Sequence, residues 1–199
     1  MTSSFFWSSE FQRLMFRYDH DLASEVRAAG CPYCGGKLHV ANYRRHPRGV
    51  PGTTLKEASL RLSFCCNREG CRRRVTPPSV RFLGRRVYVG AIVVLATAMR
   101  FGDTKQRLGR LKALFGLGHR TLQRWRLWWQ ECFPQTTSWK ISKGLFATPI
   151  QETFLPASLM DRFGSADEEG RAFAVLTFLA SISSRYFKFI DGGVCPRRT

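Results

Sequence analysis

Two pairs of cysteines most constrain how this chain can fold. Cys31 and Cys34 are separated by two residues, and Cys66 and Cys71 are separated by four. A two-residue gap lets two thiolates on one tight turn reach the same ion, and structural zinc takes four tetrahedral sulfur or imidazole ligands. We therefore predict a structural zinc ion held by these four cysteines, with no position left open for catalysis.

The third zinc ligand is ambiguous because Cys65 and Cys66 are adjacent. From residue 59 to residue 66, apolar and polar residues alternate with the period of a β-strand. The apolar face of this strand carries Leu60, Leu62, Phe64 and Cys66, and the other face carries Ser59, Arg61, Ser63 and Cys65. We expect Cys66 to face the ion. His39 or His46 could replace a ligand, but neither has a spacing that favours it.

The positive charge is confined to the same part of the chain. Residues 31–130 contain 21 Lys and Arg and three acids, an excess of 18 that equals the net charge of the whole chain. A partition this sharp indicates a module that faces a polyanion. The basic residues are mostly Arg within folded motifs rather than one Lys-rich amphipathic run. We therefore expect double-stranded DNA as the partner and no membrane.

A helix-turn-helix pattern follows the cysteines, over residues 108–129. Residues 116–118 form the predicted turn, and Leu122 and Trp125 occupy the positions at which the second helix of such a motif is buried. The opposite face would lie in the major groove and read bases with His119, Arg120, Thr121, Gln123 and Arg124. Lys112 departs from the pattern, which usually has a small residue there, although its long side chain can reach solvent. The alternative is an ordinary helical hairpin with a basic, solvated face.

A second basic set is predicted to hold the phosphate backbone without reading sequence. It consists of Arg72, Arg73, Arg74, Arg81, Arg85 and Arg86.

Three motifs together resemble the N-terminal DNA-binding part of bacterial insertion-sequence transposases. They are Cys31-Pro32-Tyr33-Cys34, a second cysteine pair followed by Arg72-Arg73-Arg74, and Thr121-Leu122-Gln123-Arg124-Trp125 at the start of a helix. In that family a zinc ribbon and a helix-turn-helix bind the terminal repeats of the element, and a following ribonuclease-H-like domain cuts and joins DNA. The resemblance implies the binding role for residues 31–130, and a transposase catalytic subunit as a partner.

The acidic residues do not complete a catalytic set. Strand transfer needs three carboxylates that converge on two divalent metal ions. Beyond residue 133 the acids cluster at a helix start or stand alone at Glu152, Asp161 and Asp191. We therefore predict no catalytic residue, and a truncated transposase or a DNA-recognition subunit. Two alternatives stay open: a complete metal-dependent strand-transfer enzyme with an unrecognised acidic site in residues 134–199, and a basic zinc ribbon that binds RNA.

The predicted fold is mainly α with a small β zinc ribbon followed by a helix-turn-helix bundle. Its four segments are an N-terminal helical arm (1–29), the ribbon (30–80), a helix-turn-helix domain (81–133) and a C-terminal helical region (134–199). In the arm, a helix over residues 8–29 has an apolar face of Phe11, Leu14, Met15, Tyr18, Leu22 and Val26. A Ser/Thr/Lys-rich connector is predicted just after Pro134.

The location follows from what the sequence lacks. No apolar stretch approaches the roughly 20 residues that span a bilayer, and the N-terminus has neither the basic head nor the apolar length of a signal peptide. Seven cysteines, an odd number with two adjacent, suit a reducing compartment and metal binding better than a disulfide framework. We expect a cytoplasmic protein, and a homodimer remains open.

Overall fold

The computed structural model describes residues 8–45, 59–82, 109, 112–113, 116, 118–164 and 167–186. These residues form helices and two small antiparallel sheets, as the sequence predicts in outline. The α-helices are α1 (Ser9–Ala29), α2 (His119–Leu127), α3 (Thr137–Ser142), α4 (Ala157–Met160) and α5 (Glu168–Tyr186). The strands are β1 (Leu38–Val40), β2 (Tyr43–Arg44), β3 (Leu60–Arg61), β4 (Phe64–Cys66) and β5 (Arg74–Val75). Among the described helices, none combines the length and the apolarity needed to cross a membrane.

Helix α1 begins and ends where its sequence signals lie. The Ser8 hydroxyl accepts a hydrogen bond from the Phe11 amide at 3.1 Å, which caps the first turn, and Gly30 ends the helix with φ 77°. The buried stripe repeats every fourth residue, at Phe11, Met15, Asp19 and Ala23. It is narrower than the predicted apolar face, because Leu14 is exposed, and it includes a carboxylate.

The five strands form two antiparallel sheets in the ribbon. In the larger sheet the order is β1-β4-β5, and the smaller sheet pairs β2 with β3. Across the larger sheet, His39 lies opposite Cys65, and Cys65 lies opposite Arg74. Because side chains of paired residues point to the same face of a sheet, these three define one face of the sheet, and Cys66 belongs to the other.

The predicted polar face of residues 59–66 is only partly exposed. Arg61 and Ser63 are 3% and 0% exposed, although strand alternation predicts them on the solvent side. The Asn42 side chain accepts a hydrogen bond from the Ser63 amide at 3.0 Å, and Pro77 O accepts one from the Arg61 guanidinium. The chain on both sides of the sheet therefore covers this face.

An aromatic cluster organises the helical body, the part of the structure formed by α2, α3, α4 and α5. After α2 the chain continues through a π-helical turn, Trp128–Cys132, and a 3-10 turn, Phe133–Gln135. The predicted connector beyond Pro134 is instead helix α3, capped by Thr136 and anchored by Trp139, which is fully buried. Its ring lies 5.0 Å from that of Phe133, which in turn lies 4.8 Å from that of Trp129. Burial of Trp139 and the Thr136 cap stabilise this polar stretch as a helix.

Helix α1 contributes to both hydrophobic cores. Its N-terminal half, with Phe11 and Met15, packs in the core of the helical body together with α2, α3 and α5. Its C-terminal half, with Ala23 and Val26, packs against the core of the ribbon. Phe11, Trp125 and Leu176, from three separately predicted segments, thus lie in one shared core.

Several predictions lie outside the described residues. They include nearly all of the first helix of the helix-turn-helix, the turn residue Leu117, and Arg85 and Arg86. Of that first helix and turn, the structure describes only residues 109, 112–113, 116 and 118; Lys112 is exposed there, and Gly116 has φ 62°.

Candidate metal centre

The first cysteine pair lies on a tight turn between α1 and β1. Cys31 O accepts hydrogen bonds from the amides of Cys34 at 3.3 Å and Gly35 at 2.8 Å, and Gly36 O accepts one from the Cys31 amide at 2.9 Å. Gly35 has φ 70°, a conformation that side chains with a Cβ rarely adopt. The turn therefore brings the thiols of Cys31 and Cys34 to one side of the backbone.

The second cysteine pair lies on the turn between β4 and β5. The Arg68 amide donates to the Cys66 sulfur at 3.4 Å, and Arg68 O accepts a hydrogen bond from the Cys71 amide at 3.1 Å. Lys37 O accepts a hydrogen bond from the Asn67 amide at 3.0 Å, which ties this turn to the start of β1. The four-residue gap between the cysteines is thus folded into one compact loop.

The two turns bring four sulfur atoms together. The thiols of Cys31, Cys34, Cys66 and Cys71 all lie within 4.8 Å of one another. The Sγ···Sγ distance is 3.8 Å between Cys31 and Cys71, and 3.4 Å between Cys34 and Cys66. A tetrahedron of sulfurs around an ion at about 2.3 Å has edges of about 3.8 Å. The described thiols therefore have the spacing of a metal site, and these distances are far longer than the roughly 2.05 Å of a disulfide.

Gly36 leaves the space that the sulfurs occupy. A Cβ at this position would lie 3.0 Å from the Cys66 sulfur and 3.3 Å from the Cys34 sulfur. A side chain there would require a thiol or the turn to shift by a few tenths of an ångström. The Gly-Gly pair after Cys34 is the sequence signal for this close approach of backbone and sulfur.

Cys65 lies apart from this cluster. Its thiol donates to Arg72 O at 3.4 Å, and its register partner in β1 is the exposed His39. Both residues therefore belong to the face of the sheet opposite Cys66. The structure places Cys66, not Cys65, with the other three cysteines, as the strand period indicates. His46 lies outside the described residues.

The thiols of the cluster differ in acidity because they share one small volume. The Gly36 amide holds the pKa of Cys34 down at about 6, helped by hydrogen bonds from the neighbouring thiols. The Arg68 amide lowers the pKa of Cys66, but burial and its hydrogen bonds with the other cysteines outweigh it and raise that pKa to about 12. The pKa of Cys71 is also raised. The Arg73 amide lowers it, but burial and the hydrogen bonds with Cys34 and Cys31 outweigh that effect. Ionised thiols this close together would repel one another, and a bound cation would offset that repulsion.

Comparisons of this chain with protein-family models, curated proteins and solved structures found no match.

Helix α2 presents the predicted base-reading residues on its outer face. Leu122 and Trp125 are 1% and 4% exposed and pack in the helical core. Thr121 is half-buried, and its hydroxyl accepts a 3.4 Å hydrogen bond from Arg124. The exposed residues are His119, Arg120, Gln123 and Arg124. The burial pattern of α2 matches the predicted second helix.

The ribbon exposes three consecutive arginines, Arg72, Arg73 and Arg74. Arg74 donates to Ala41 O at 2.8 Å and to the Ser63 hydroxyl at 3.1 Å. These residues lie at and just before β5, an edge strand of the larger sheet in the described part of the chain.

Arg81 does not fit the phosphate-contacting role predicted for it. Its side chain is 3% exposed and its Nε donates to the Asp19 carboxylate at 2.7 Å, while Nη2 donates to Leu60 O at 2.8 Å. An arginine already paired with a buried carboxylate offers no guanidinium to a ligand. The sequence shows Arg81 only as part of a basic run, whereas the structure places its guanidinium against Asp19 and away from the surface.

Arg61 is a second buried arginine that the sequence analysis placed on the solvent side. Burial lowers its pKa to about 10, although the nearby Asp19 carboxylate opposes the shift. Its guanidinium lies 5.7 Å from the centre of the Phe82 ring, and that of Arg81 lies 5.2 Å from the same ring. The two arginines thus share one aromatic ring and one carboxylate between the ribbon and α1.

The described acids of the helical body do not form a metal site. Glu152 accepts hydrogen bonds from the Trp139 indole at 2.8 Å and from Lys143 at 3.0 Å, and these contacts lower its pKa. Across the described residues, the cysteine cluster is the one group of three or more potential ligands close enough to share an ion. Asp191 lies outside them. Cys132, away from the cluster, is disulfide-bonded.

Proposed function

We propose that this chain is a zinc-containing, sequence-specific DNA-binding protein related to a transposase, acting as a truncated form or a DNA-recognition subunit. Zinc is the metal that a cluster of four thiolates in tetrahedral spacing favours, and a site closed by four protein ligands suits a structural role. The relation to transposases rests on the three sequence motifs.

The observation that carries the DNA-binding proposal is the two-sided character of α2. Leu122 and Trp125 anchor one side in the core, so the helix cannot roll, and the other side carries groups that can read base edges. Arg can bind guanine through two hydrogen bonds, and Gln can bind adenine in the same way. A helix fixed in this manner can hold such groups in register with a groove.

The ribbon supplies the complementary, sequence-independent attraction. Its described residues, 31–45 and 59–75, contain eight Lys and Arg and one acid, Glu69. Exposed Arg72, Arg73 and Arg74 would neutralise phosphates, and each neutralised phosphate adds about 0.9 to the slope of log affinity against log salt. Affinity would then come from the ribbon and specificity from α2.

Site selection followed by quantitative binding tests this division. The selected duplex and a scrambled duplex are titrated at matched salt with the wild type and with Gln123→Ala and Arg124→Ala. Each variant is expected to lose about 1–3 kcal/mol on the selected site and less on the scrambled one. Arg27→Ala, which removes an exposed arginine of α1, is the matched control and should change neither.

Three outcomes would overturn the proposal. Equal losses on both duplexes, with the fold intact, would mean that α2 does not read sequence. Tighter binding to structured RNA than to any duplex DNA at the same salt would assign the chain to RNA. Nicking or joining of a terminal-repeat duplex by the purified chain with Mg²⁺ would replace the recognition role by a complete strand-transfer enzyme.

A further inference from the structure

Two tyrosines of the ribbon each carry an arginine over the ring. The Cζ atom of Arg73 lies 4.6 Å from the centre of the Tyr33 ring, and that of Arg74 lies 5.4 Å from the centre of the Tyr43 ring. Both tyrosines remain exposed, at 47% and 38% of their surface. Each pair is therefore a cation–π contact at the surface, and we call these pairs the two arginine–tyrosine stacks.

The two stacks flank the same edge of the sheet. Arg74 begins β5 and Arg73 directly precedes it, so the two stacks lie side by side along the chain. Strand β5 is an edge strand in the described sheet. A flexible strand that passes along this edge could contact both stacks.

Arg74 is held in place before any ligand arrives. Its Nη1 donates both to Ala41 O and to the Ser63 hydroxyl, at 2.8 and 3.1 Å. Ala41 belongs to the turn between β1 and β2, and Ser63 directly precedes β4. A guanidinium fixed at several points loses little side-chain entropy when a ligand stacks on it.

The chemistry of this edge favours nucleotides whose bases are unpaired. Tyrosine rings and guanidinium planes stack on base faces, and those faces are accessible only when a base is not already stacked within a duplex. The surrounding charge favours the phosphates that link such bases, because the described residues of the ribbon include a single acid, Glu69.

We propose that the edge formed by Tyr33, Tyr43, Arg73 and Arg74 binds single-stranded DNA through base stacking. This inference rests on the proposed DNA-binding function and extends it, since α2 would read a duplex while the ribbon edge holds an adjacent unpaired strand. The preferred ligand is then a duplex site that continues into a single-stranded tail.

Fluorescence anisotropy on the zinc-loaded full chain tests this proposal. The probes are a labelled oligodeoxythymidine of about 12 nucleotides, within the range of known single-strand site sizes, and the selected duplex. Tyr33→Leu and Tyr43→Leu should each weaken oligodeoxythymidine binding by about 5-fold to 100-fold, the range expected for loss of one base stack. Duplex binding should change by less than about twofold, because its bases stay stacked within the helix. Arg73→Lys and Arg74→Lys keep the charge, so a loss on oligodeoxythymidine would isolate the stacking contribution.

Phe154→Leu is the matched control. It removes an exposed aromatic ring, 63% exposed, from the helical body rather than from the ribbon, and should leave both affinities unchanged. Zinc content and a melting curve establish that each variant is folded. If Tyr33→Leu, next to two cysteines, loses its metal, Tyr43→Leu on β2 decides the question.

Each other outcome counts against the proposal. Unchanged oligodeoxythymidine binding in the folded tyrosine variants, or equal losses on single strand and duplex, would overturn stacking and leave duplex recognition by α2 intact. Binding to oligouridine about tenfold tighter than to oligodeoxythymidine would assign the edge to RNA, whose 2′-hydroxyl distinguishes the two. Absence of binding to every nucleic acid would overturn both this proposal and the proposed function.

Discussion

The Asp19 carboxylate in α1 binds the Arg81 guanidinium beyond the ribbon, with Oδ2 2.7 Å from Nε and both side chains buried. The same carboxylate accepts hydrogen bonds from the Ser79 hydroxyl and, at 2.8 Å, from the Val80 amide. One acid of α1 therefore fixes the segment through which the chain leaves the ribbon. This network, rather than apolar packing alone, joins the C-terminal end of the ribbon to the first helix.

Removal of Arg81 should destabilise the protein. Arg81→Ala would leave the buried Asp19 carboxylate without its cation, and breaking a buried ion pair costs about 3–5 kcal/mol. Urea unfolding measures this loss. Asp19→Leu combined with Arg81→Met removes both charges, but it leaves the Ser79 hydroxyl, the Val80 amide and buried Arg61 without the carboxylate, so it should recover only part of the stability. Arg13→Ala, at an exposed position of α1, should change it by less than about 0.5 kcal/mol. If Arg81→Ala kept full stability and lost DNA affinity, the original phosphate-contacting prediction would stand.

The cysteine cluster should hold one zinc ion per chain. Cys31→Ser removes a predicted ligand and should abolish stoichiometric zinc, whereas Cys65→Ser should retain it because the Cys65 thiol bonds to Arg72 O instead. Metal analysis after purification without chelator measures both. Because structural metal binding is coupled to folding, chelation should raise amide hydrogen exchange in the ribbon before the helical body. Zinc retained in full by Cys31→Ser would refute this ligand set.

Metal affinity should rise with pH. At about pH 7 the Cys34 thiol, with its pKa near 6, is largely ionised, whereas Cys66, with its pKa raised to about 12, keeps its proton, as does Cys71. Bound metal requires thiolates, so it must displace at least these two protons. Because two protons are displaced, the apparent metal affinity near pH 7 should fall by about a hundredfold for each unit of pH decrease. Competition with a chelator of known proton affinity measures the slope, and a flat profile would contradict the assignment.

Gly36→Ala should weaken metal binding without unfolding the helical body. The added Cβ would lie 3.0 Å from the Cys66 sulfur, so that sulfur or the turn must move. Gly144→Ala is the control, because a Cβ there meets no atom within 4 Å. Zinc competition and thermal melting separate the two effects. Equal zinc affinity in both variants would mean that the turn relaxes freely around the extra atom.

Truncation of Trp125 should reduce stability rather than base reading. Its side chain is 4% exposed and lies in the core that α1, α2 and α5 share, and Trp125→Ala should cost about 3–5 kcal/mol. Denaturant unfolding measures the cost. A folded variant of unchanged stability would indicate that α2 is not anchored in this way.

Local spacing was enough to predict the cysteine cluster and the burial pattern of α2. The Cys-x-x-Cys turn and the strand period around Cys66 are set by neighbours in sequence, and the alternation of Leu122 and Trp125 with polar residues is a helical period. Such short-range geometry survives in the structure because the tertiary contacts act along the same faces.

Long-range partners were not predictable in the same way. Arg81 looks like its basic neighbours until Asp19, 62 residues earlier, is brought beside it. Helix α3 was missed because its Ser- and Thr-rich sequence has weak helical propensity, and the burial of Trp139 and the bond from its indole to Glu152 add to the Thr136 cap in stabilising it. Tertiary context decides both cases.

The shared position of α1 limits how this protein can be divided. A fragment that started at Cys31 would contain every cysteine of the cluster, yet it would lack Ala23 and Val26 from its core and the Asp19 carboxylate from its border. Buried Arg81 would then face water or an unpaired void. The ribbon is therefore not an independently folding fragment. Any shortened version of it must include at least the second half of the first helix.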